Sequence, residues 1–338
     1  MQPLALPPNQ LHRFYRGGAR IAALRATGND DSHAPEEWIA STTTPFGEDV
    51  GISVLPDGTR LPDALAADPE GWLGPEHAAR FGTHPALLFK LLDAGERLPV
   101  HLHPDDAFAR AHLGSRYGKT EAWIVLDAAP GAAVHVGWRD PVSEATLAAW
   151  VERRDAGVML DALHRVDVAP GDTVFVPAGT AHAIGDGVLI AELQQPTDFS
   201  ILLEWAGFVD DGPAGHLGLD VERALDAVDR SAWSDDDLRR ARSGRGPHAS
   251  RPGAEVLFPA EADAFFRAER IVPAPTPLDA SFSVLLVVDG EARAEGDGWT
   301  LSLRRGDAVV VPYGAGPCEV AGDADVLRCL PPDPRAPR

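Results

Sequence analysis

The apolar residues of this chain fall mostly into short blocks that alternate or run unbroken, and only a few stretches repeat every three to four residues. Ala86-Leu-Leu-Phe-Lys-Leu-Leu92 is apolar except at Lys90, the pattern of a strand buried on both faces. Thr120–Leu126, the stretch from Val166, Val174-Phe-Val176, Val188-Leu-Ile190 and Ile201-Leu-Leu203 predict further strands. Helical spacing is confined to three regions. Leu61, Leu65, Trp72 and Leu73 mark the first, over residues 61–82, and Ser143 is a good N-cap for the second, over 143–164. The third spans Leu219–Arg242, after which Ser243–Pro252 reads as a flexible link. Residues 1–60 read as irregular chain with short strands, turning at Gly17-Gly18 and Pro56-Asp57-Gly58. The pattern is that of a mainly β protein carrying helical insertions.

One segment occurs twice. Gly306-Asp-Ala-Val-Val-Val-Pro312-Tyr-Gly314 echoes Gly171-Asp-Thr-Val-Phe-Val-Pro177-Ala-Gly179, and each copy follows and precedes strand-like chain. This predicts a duplicated barrel. The first copy continues to His182, whereas the second has Pro317 and Cys318 where a histidine would be needed. The expected organisation is an N-terminal metal-binding barrel over 1–215, a helical linker over 216–255 and a degenerate barrel without a metal site over 256–338.

The metal expectation starts from Pro99-Val-His101-Leu-His103-Pro104. On a strand, residues i and i+2 point to one face, so His101 and His103 can grip a single ion. Adding Glu121 and His182 gives a ligand set suited to Zn²⁺, with Mn²⁺ or Fe²⁺ as alternatives. The run Gly171-x5-Pro177-x-Gly179-x2-His182 is also the second signature of the cupin barrel, so the predicted fold is two cupin (jelly-roll) β-barrels.

Composition narrows the partners. A formal net charge of −21 over 338 residues argues against nucleic acid and anionic membranes. No apolar run approaches the ~20 residues of a membrane span. The N-terminus has no basic flank followed by an apolar stretch, and the two cysteines, Cys318 and Cys329, lie far from the histidines. A cytoplasmic protein with reduced thiols is expected. Of thirty basic residues only Lys90 and Lys119 are lysine, and both lie close in sequence to the metal candidates.

Phe89-Lys90-Leu-Leu-Asp93, Val100-His101-Leu-His103-Pro104-Asp105-Asp106, Gly118-Lys119-Thr-Glu121-Ala-Trp123, Pro177-Ala-Gly-Thr-Ala-His182 and Glu192-Leu-Gln-Gln195 together resemble the type I phosphomannose isomerases, in particular their short bacterial form. The resemblance implies a Zn²⁺ site of His103, Glu121, His182 and the residue at 101, and interconversion of mannose 6-phosphate with fructose 6-phosphate through an enediol. Two departures stand out. The family usually has glutamine where this chain has His101, and an arginine facing the substrate where this chain has Leu202. The family's Trp-Gly-Gly is here Arg16-Gly17-Gly18, which makes Arg16 a candidate replacement cation.

Aldose–ketose isomerisation needs a base between C1 and C2. Glu192 is the expected base, with its i+2 neighbour Gln194 on the same face. Lys119 is expected beside the metal as a second catalytic group, and Lys90, Lys119, Gln194 and Arg16 as contacts for a sugar or sugar phosphate. The alternatives are an isomerase of a non-phosphorylated or different sugar, an iron-dependent cupin dioxygenase, and a non-catalytic sugar-binding protein.

Overall fold

The computed structural model describes residues 1–46, 48–244, 246–247, 253–271 and 275–337. Its first half is built from two antiparallel sheets facing each other. One runs in the order Gln10–Leu11, Glu36–Ile39, Leu88–Ala94, Val188–Gln194, Glu121–Ala128, Thr173–Val176. The other runs Ile201–Leu202, His101–Leu102, His182–Ile184, Ala133–Trp138, Leu163–Asp167. Between them lies a core that includes Leu92, Trp123, Val125, Val134, Val136 and Ile190.

Strand alternation explains why the first sheet is apolar throughout. Leu92, Ile190, Trp123 and Val125 face the second sheet, while Phe89, Leu91, Ala122, Ile124, Ala191 and Leu193 face the C-terminal half. There they meet Phe258, Phe266, Val284, Leu286 and Leu327, so the two halves share one apolar core. The C-terminal sheet is dominated by two long strands, Ser283–Gly296 and Cys318–Leu330, paired antiparallel with a register shift between Val287 and Asp289. Such an irregularity bends a strand and lets one sheet wrap a core of its own. Leu285, Val287, Val309, Val311 and Val326 fill that core. The fold is mainly β and of the cupin type.

The echoed segments behave alike. Gly171 and Gly306 turn at φ 94° and 88°, and each leads into a short buried strand, Thr173–Val176 and Ala308–Val311. Leu4–Ala5 pairs with Val309 and Val310, so the N-terminus adds a strand to the C-terminal sheet and crosses the boundary expected at 215.

The helices are shorter than the apolar spacing suggests. Residues 61–82 form three, Leu61–Ala67, Pro69–Leu73 and Pro75–Phe81, because Pro69 and Pro75 each start a new helix at its first position. Ser143 does cap Glu144–Arg153, accepting from Thr146 N, and Ala156–Ala162 follows. The third region resolves into Val221–Leu225 and Asp235–Ala241. Sequence spacing missed a helix at Ala19–Arg25. Most of the expected link at Ser243–Pro252, residues 245 and 248–252, lies outside the described residues. Among the described residues no helix is long and apolar enough to cross a membrane.

Candidate metal centre and its cavity

The centre sits where the two sheets of the first half meet. The second sheet supplies the histidines, with His101 and His182 as direct cross-strand partners. His103 lies just beyond the short strand and its carbonyl accepts from Gly179 N (2.7 Å), which ties the Pro177–Thr180 turn to the histidine pair. The first sheet supplies Lys90, Glu192 and Glu121. Lys90 lies directly opposite Glu192, and Gln194 directly opposite Glu121.

His101, His103 and His182 are buried, and one ligand nitrogen from each lies within 4.8 Å of the others. Each Nδ1 sits beside a backbone carbonyl: Pro99 O at 2.8 Å, Phe199 O at 2.7 Å and Thr180 O at 2.8 Å. A carbonyl only accepts, so each Nδ1 carries the proton and each Nε2 presents a lone pair. Glu121 closes the cluster, with Oε2 2.9 Å from His103 Nε2 and Oε1 3.3 Å from His182 Nε2. Lone pairs facing one another at such distances repel unless a cation lies among them. Burial, and then the Lys119 charge, push His103 down to about 3; burial drives His182 to about 3 and His101 well below its ordinary range. The imidazoles therefore do not supply that cation as protons. Lys119 Nζ neighbours His103 Nε2 and Glu121 Oε2, but His182 Nε2 is buried without a hydrogen-bond partner. The donor set fits a divalent ion. Among the described residues no other three histidine, cysteine or carboxylate side chains bring their ligand atoms this close together.

Around the cluster, Lys119 Nζ lies 2.9 Å from His103 Nε2 and 3.0 Å from Glu121 Oε2. Nearby, Asp105 caps the following helix and Asp106 accepts from Gly118 N and Gln195 Nε2. Gly118 is required here, since a Cβ would fall 2.3 Å from Pro104 O and force the Lys119 loop away from His103. Trp123 is fully buried and donates to Glu121 Oε1 (2.9 Å), so it orients a ligand rather than offering a platform to a sugar. Burial opposes the ionisation of Glu121, but Lys119 and His103 outweigh it and hold the carboxyl well below its usual range.

A cavity of about 220 Å³ opens onto the cluster. Lys90, His101, Lys119, Glu121 and Glu192 contribute to its wall. Glu192 lies 3.3 Å from Lys90 and 3.7 Å from Lys119, and burial followed by the Glu121 charge pushes it up to about 8. It is a buried carboxyl held near neutrality, suited to taking and returning a proton.

Two of the expected contacts do not reach this cavity. Arg16 is exposed and paired with Glu96 (3.1 Å), whereas Arg13, Phe14 and Tyr15 line the cavity. Gln194 is buried, but its amide donates to the carbonyls of Gln195 and Thr197, so it braces the turn leading to Asp198. Leu202 does line the cavity, paired across the sheet with His101. Sequence reasoning missed Arg13, Tyr15, Glu36 and Asp198. Their positions within irregular or short segments left no periodicity from which to read direction.

Fold and centre together define a cupin protein with a buried histidine–carboxylate metal centre. A family model described as the cupin domain of mannose-6-phosphate isomerase matches residues 272–331. The mannose-6-phosphate isomerase of Streptococcus mutans is 32% identical over 232 residues, covering 67% of this chain and 68% of that protein. The crystal structure of the Bacillus subtilis mannose 6-phosphate isomerase superposes with a TM-score of 0.79 at 22% identity, over 97% of this chain and 99% of that one. A mannose 6-phosphate isomerase bound with zinc and yttrium has the same fold (TM-score 0.74, 16% identity, 98% of this chain and 100% of that one). This chain belongs to the mannose-6-phosphate isomerase family.

Proposed function

We propose that the protein interconverts mannose 6-phosphate and fructose 6-phosphate, with a divalent ion, Zn²⁺ first, held by His101, His103, Glu121 and His182. Three imidazole nitrogens within 4.8 Å of one another, beside a cavity lined by His101, Glu121 and Glu192, carry the reading. When bound, the ion supplies Lewis-acid stabilisation of the charge that develops on the sugar's O1 and O2. Glu192 removes the proton from one of C1 and C2 and returns it to the other, its carboxyl passing between the neutral and ionised forms, while the hydroxyl proton shifts between O1 and O2 to complete the exchange. Lys90 and Lys119 hold the sugar oxygens and steady the Glu192 charge. The apolar side chains of Leu92, Leu98, Ile184 and Leu202 in the same wall strengthen each of these interactions.

Family membership favours turnover over iron-dependent oxygenation or simple sugar binding. Leu202, apolar and beside His101, favours a second reading within the same class, a non-phosphorylated sugar. An isomerase assay on metal-reconstituted protein, with mannose 6-phosphate and free mannose side by side, separates the two. Turnover of neither, with metal bound, would refute the mannose assignment.

A further inference from the structure

Arg13 is the arginine of the cavity wall, and its surroundings are unusual for a structural ion pair. Its side chain is 12% exposed. One Nη donates to Asp198 Oδ2 at 2.8 Å. Its Nε is buried, 3.5 Å from Glu36 Oε1, without a hydrogen-bond partner. The other Nη is 3.9 Å from Glu48, whose side chain is 52% exposed. A guanidinium has five N–H donors in a planar fork. Asp198 fixes the fork, while Glu36 and Glu48 stand too far away to saturate it.

Glu36 is itself engaged elsewhere. It accepts from Tyr15 Oη (2.5 Å) and Trp38 Nε1 (2.7 Å) and lies 3.5 Å from Lys90, which lies 3.3 Å from Glu192. Burial opposes its ionisation, but Lys90 and Arg13 outweigh burial and keep it ionised. The cavity wall thus holds Glu192 beside Lys90 and Lys119 near the metal cluster, and Arg13 beside Asp198 and Glu36. The aromatic rings of Phe14 and Phe46, 47% and 54% exposed, belong to the same wall.

We propose that Arg13 is the specificity-determining residue of this site: it receives the phosphate of a sugar phosphate through its uncommitted donors, with Asp198 holding the guanidinium in place and the Glu48 contact giving way. This rests on the isomerase reading for its substrate, but phosphate recognition by Arg13 can fail or hold independently. Two phosphate oxygens match the fork, whereas a neutral hydroxyl uses one donor and leaves the rest unpaired.

The test combines binding and kinetics on the metal-loaded protein. Inorganic phosphate is titrated calorimetrically into the wild type, Arg13→Met and Arg13→Lys, and kcat and KM are measured for mannose 6-phosphate and free mannose. Phosphate affinity is expected to fall about 10- to 100-fold in Arg13→Met, with a smaller loss in Arg13→Lys, which keeps charge but not the fork. The loss of kcat/KM for mannose 6-phosphate should be carried mainly by KM, and the preference for phosphorylated over free sugar should fall by a similar factor. Should Arg13→Met fail to fold by circular dichroism, Arg13→Lys carries the comparison. Wild-type protein that binds no phosphate, or a variant that binds it as well as the wild type, would overturn the proposal. Arg13-dependent phosphate binding without isomerisation would instead uphold Arg13 and remove the mannose 6-phosphate reaction.

Discussion

Replacing His103 by alanine gives the sharpest test of the metal centre. The side chain is 1% exposed and its Nε2 lies 2.9 Å from both Glu121 and Lys119, so removing it deletes a metal donor and leaves the Lys119–Glu121 ion pair (3.0 Å) beside an empty space. A structural zinc site is worth about 10–16 kcal/mol, so one donor of four contributes roughly 3 kcal/mol and its loss weakens binding about 100-fold. With metal at ~1,000 times the wild-type Kd, binding stabilises the wild type by ~4 kcal/mol and the variant by ~1.4 kcal/mol. An unfolding entropy of ~2 cal/mol/K per residue over 338 residues turns these into Tm rises of about 6 °C and 2 °C. The assay is a thermal melt with and without Zn²⁺ after chelation, read beside metal content by elemental analysis. Turnover should fall with occupancy. Equal Tm rises, full occupancy and full rate in the variant would refute the placement of the ion among these histidines.

Other expectations concern the base, the cavity wall and acid stability. Glu192→Gln should lower kcat about 10²- to 10⁴-fold while metal content is retained, since the residue moves the proton without ligating the ion; an unchanged rate would assign the base elsewhere. Glu192 must be ionised to accept a proton, so the rate rises with pH through its pKa. Lys90→Met removes a cation 3.3 Å away that lowers that pKa, and should move the acid limb of the pH–rate profile upward. Leu202→Arg should raise the ratio of kcat/KM for mannose 6-phosphate over free mannose, and an unmoved ratio would deny Leu202 a part in specificity. Burial holds the imidazoles of His77 and His84 down to about 4, below the ~6.5 of the unfolded chain. Their contribution to stability is then full above about pH 6.5 and is lost as pH falls toward 4; His77→Phe should flatten that slope in melts taken across the range.

The sequence alone carried what depends on short-range regularity. Strand period two placed His101 and His103 on one face and Lys90 inside an apolar run, and the echoed Gly-Asp-x-x-x-x-Pro-x-Gly segments showed the duplication. Those features come from local backbone geometry, which repeats over a few residues, and the resemblance to a known family rests on the same short segments. The sequence also showed, at Leu202, that one expected cation is missing.

Only the tertiary structure decided what faces the cavity. Arg13 and Arg16 lie three residues apart in a segment without regular spacing, and their opposite directions follow from packing against Asp198 on one side and Glu96 on the other. Gln194 shares a strand and a face with Glu192, yet its amide is drawn away by the carbonyls of Gln195 and Thr197. The apolar face of the first sheet that covers the C-terminal half could not be told in sequence from a face covering its own barrel, because burial by either leaves the same run of Leu, Ile and Ala. Direction in irregular chain, and the partner of a buried face, are set by contacts between residues far apart in sequence, and no local pattern records them.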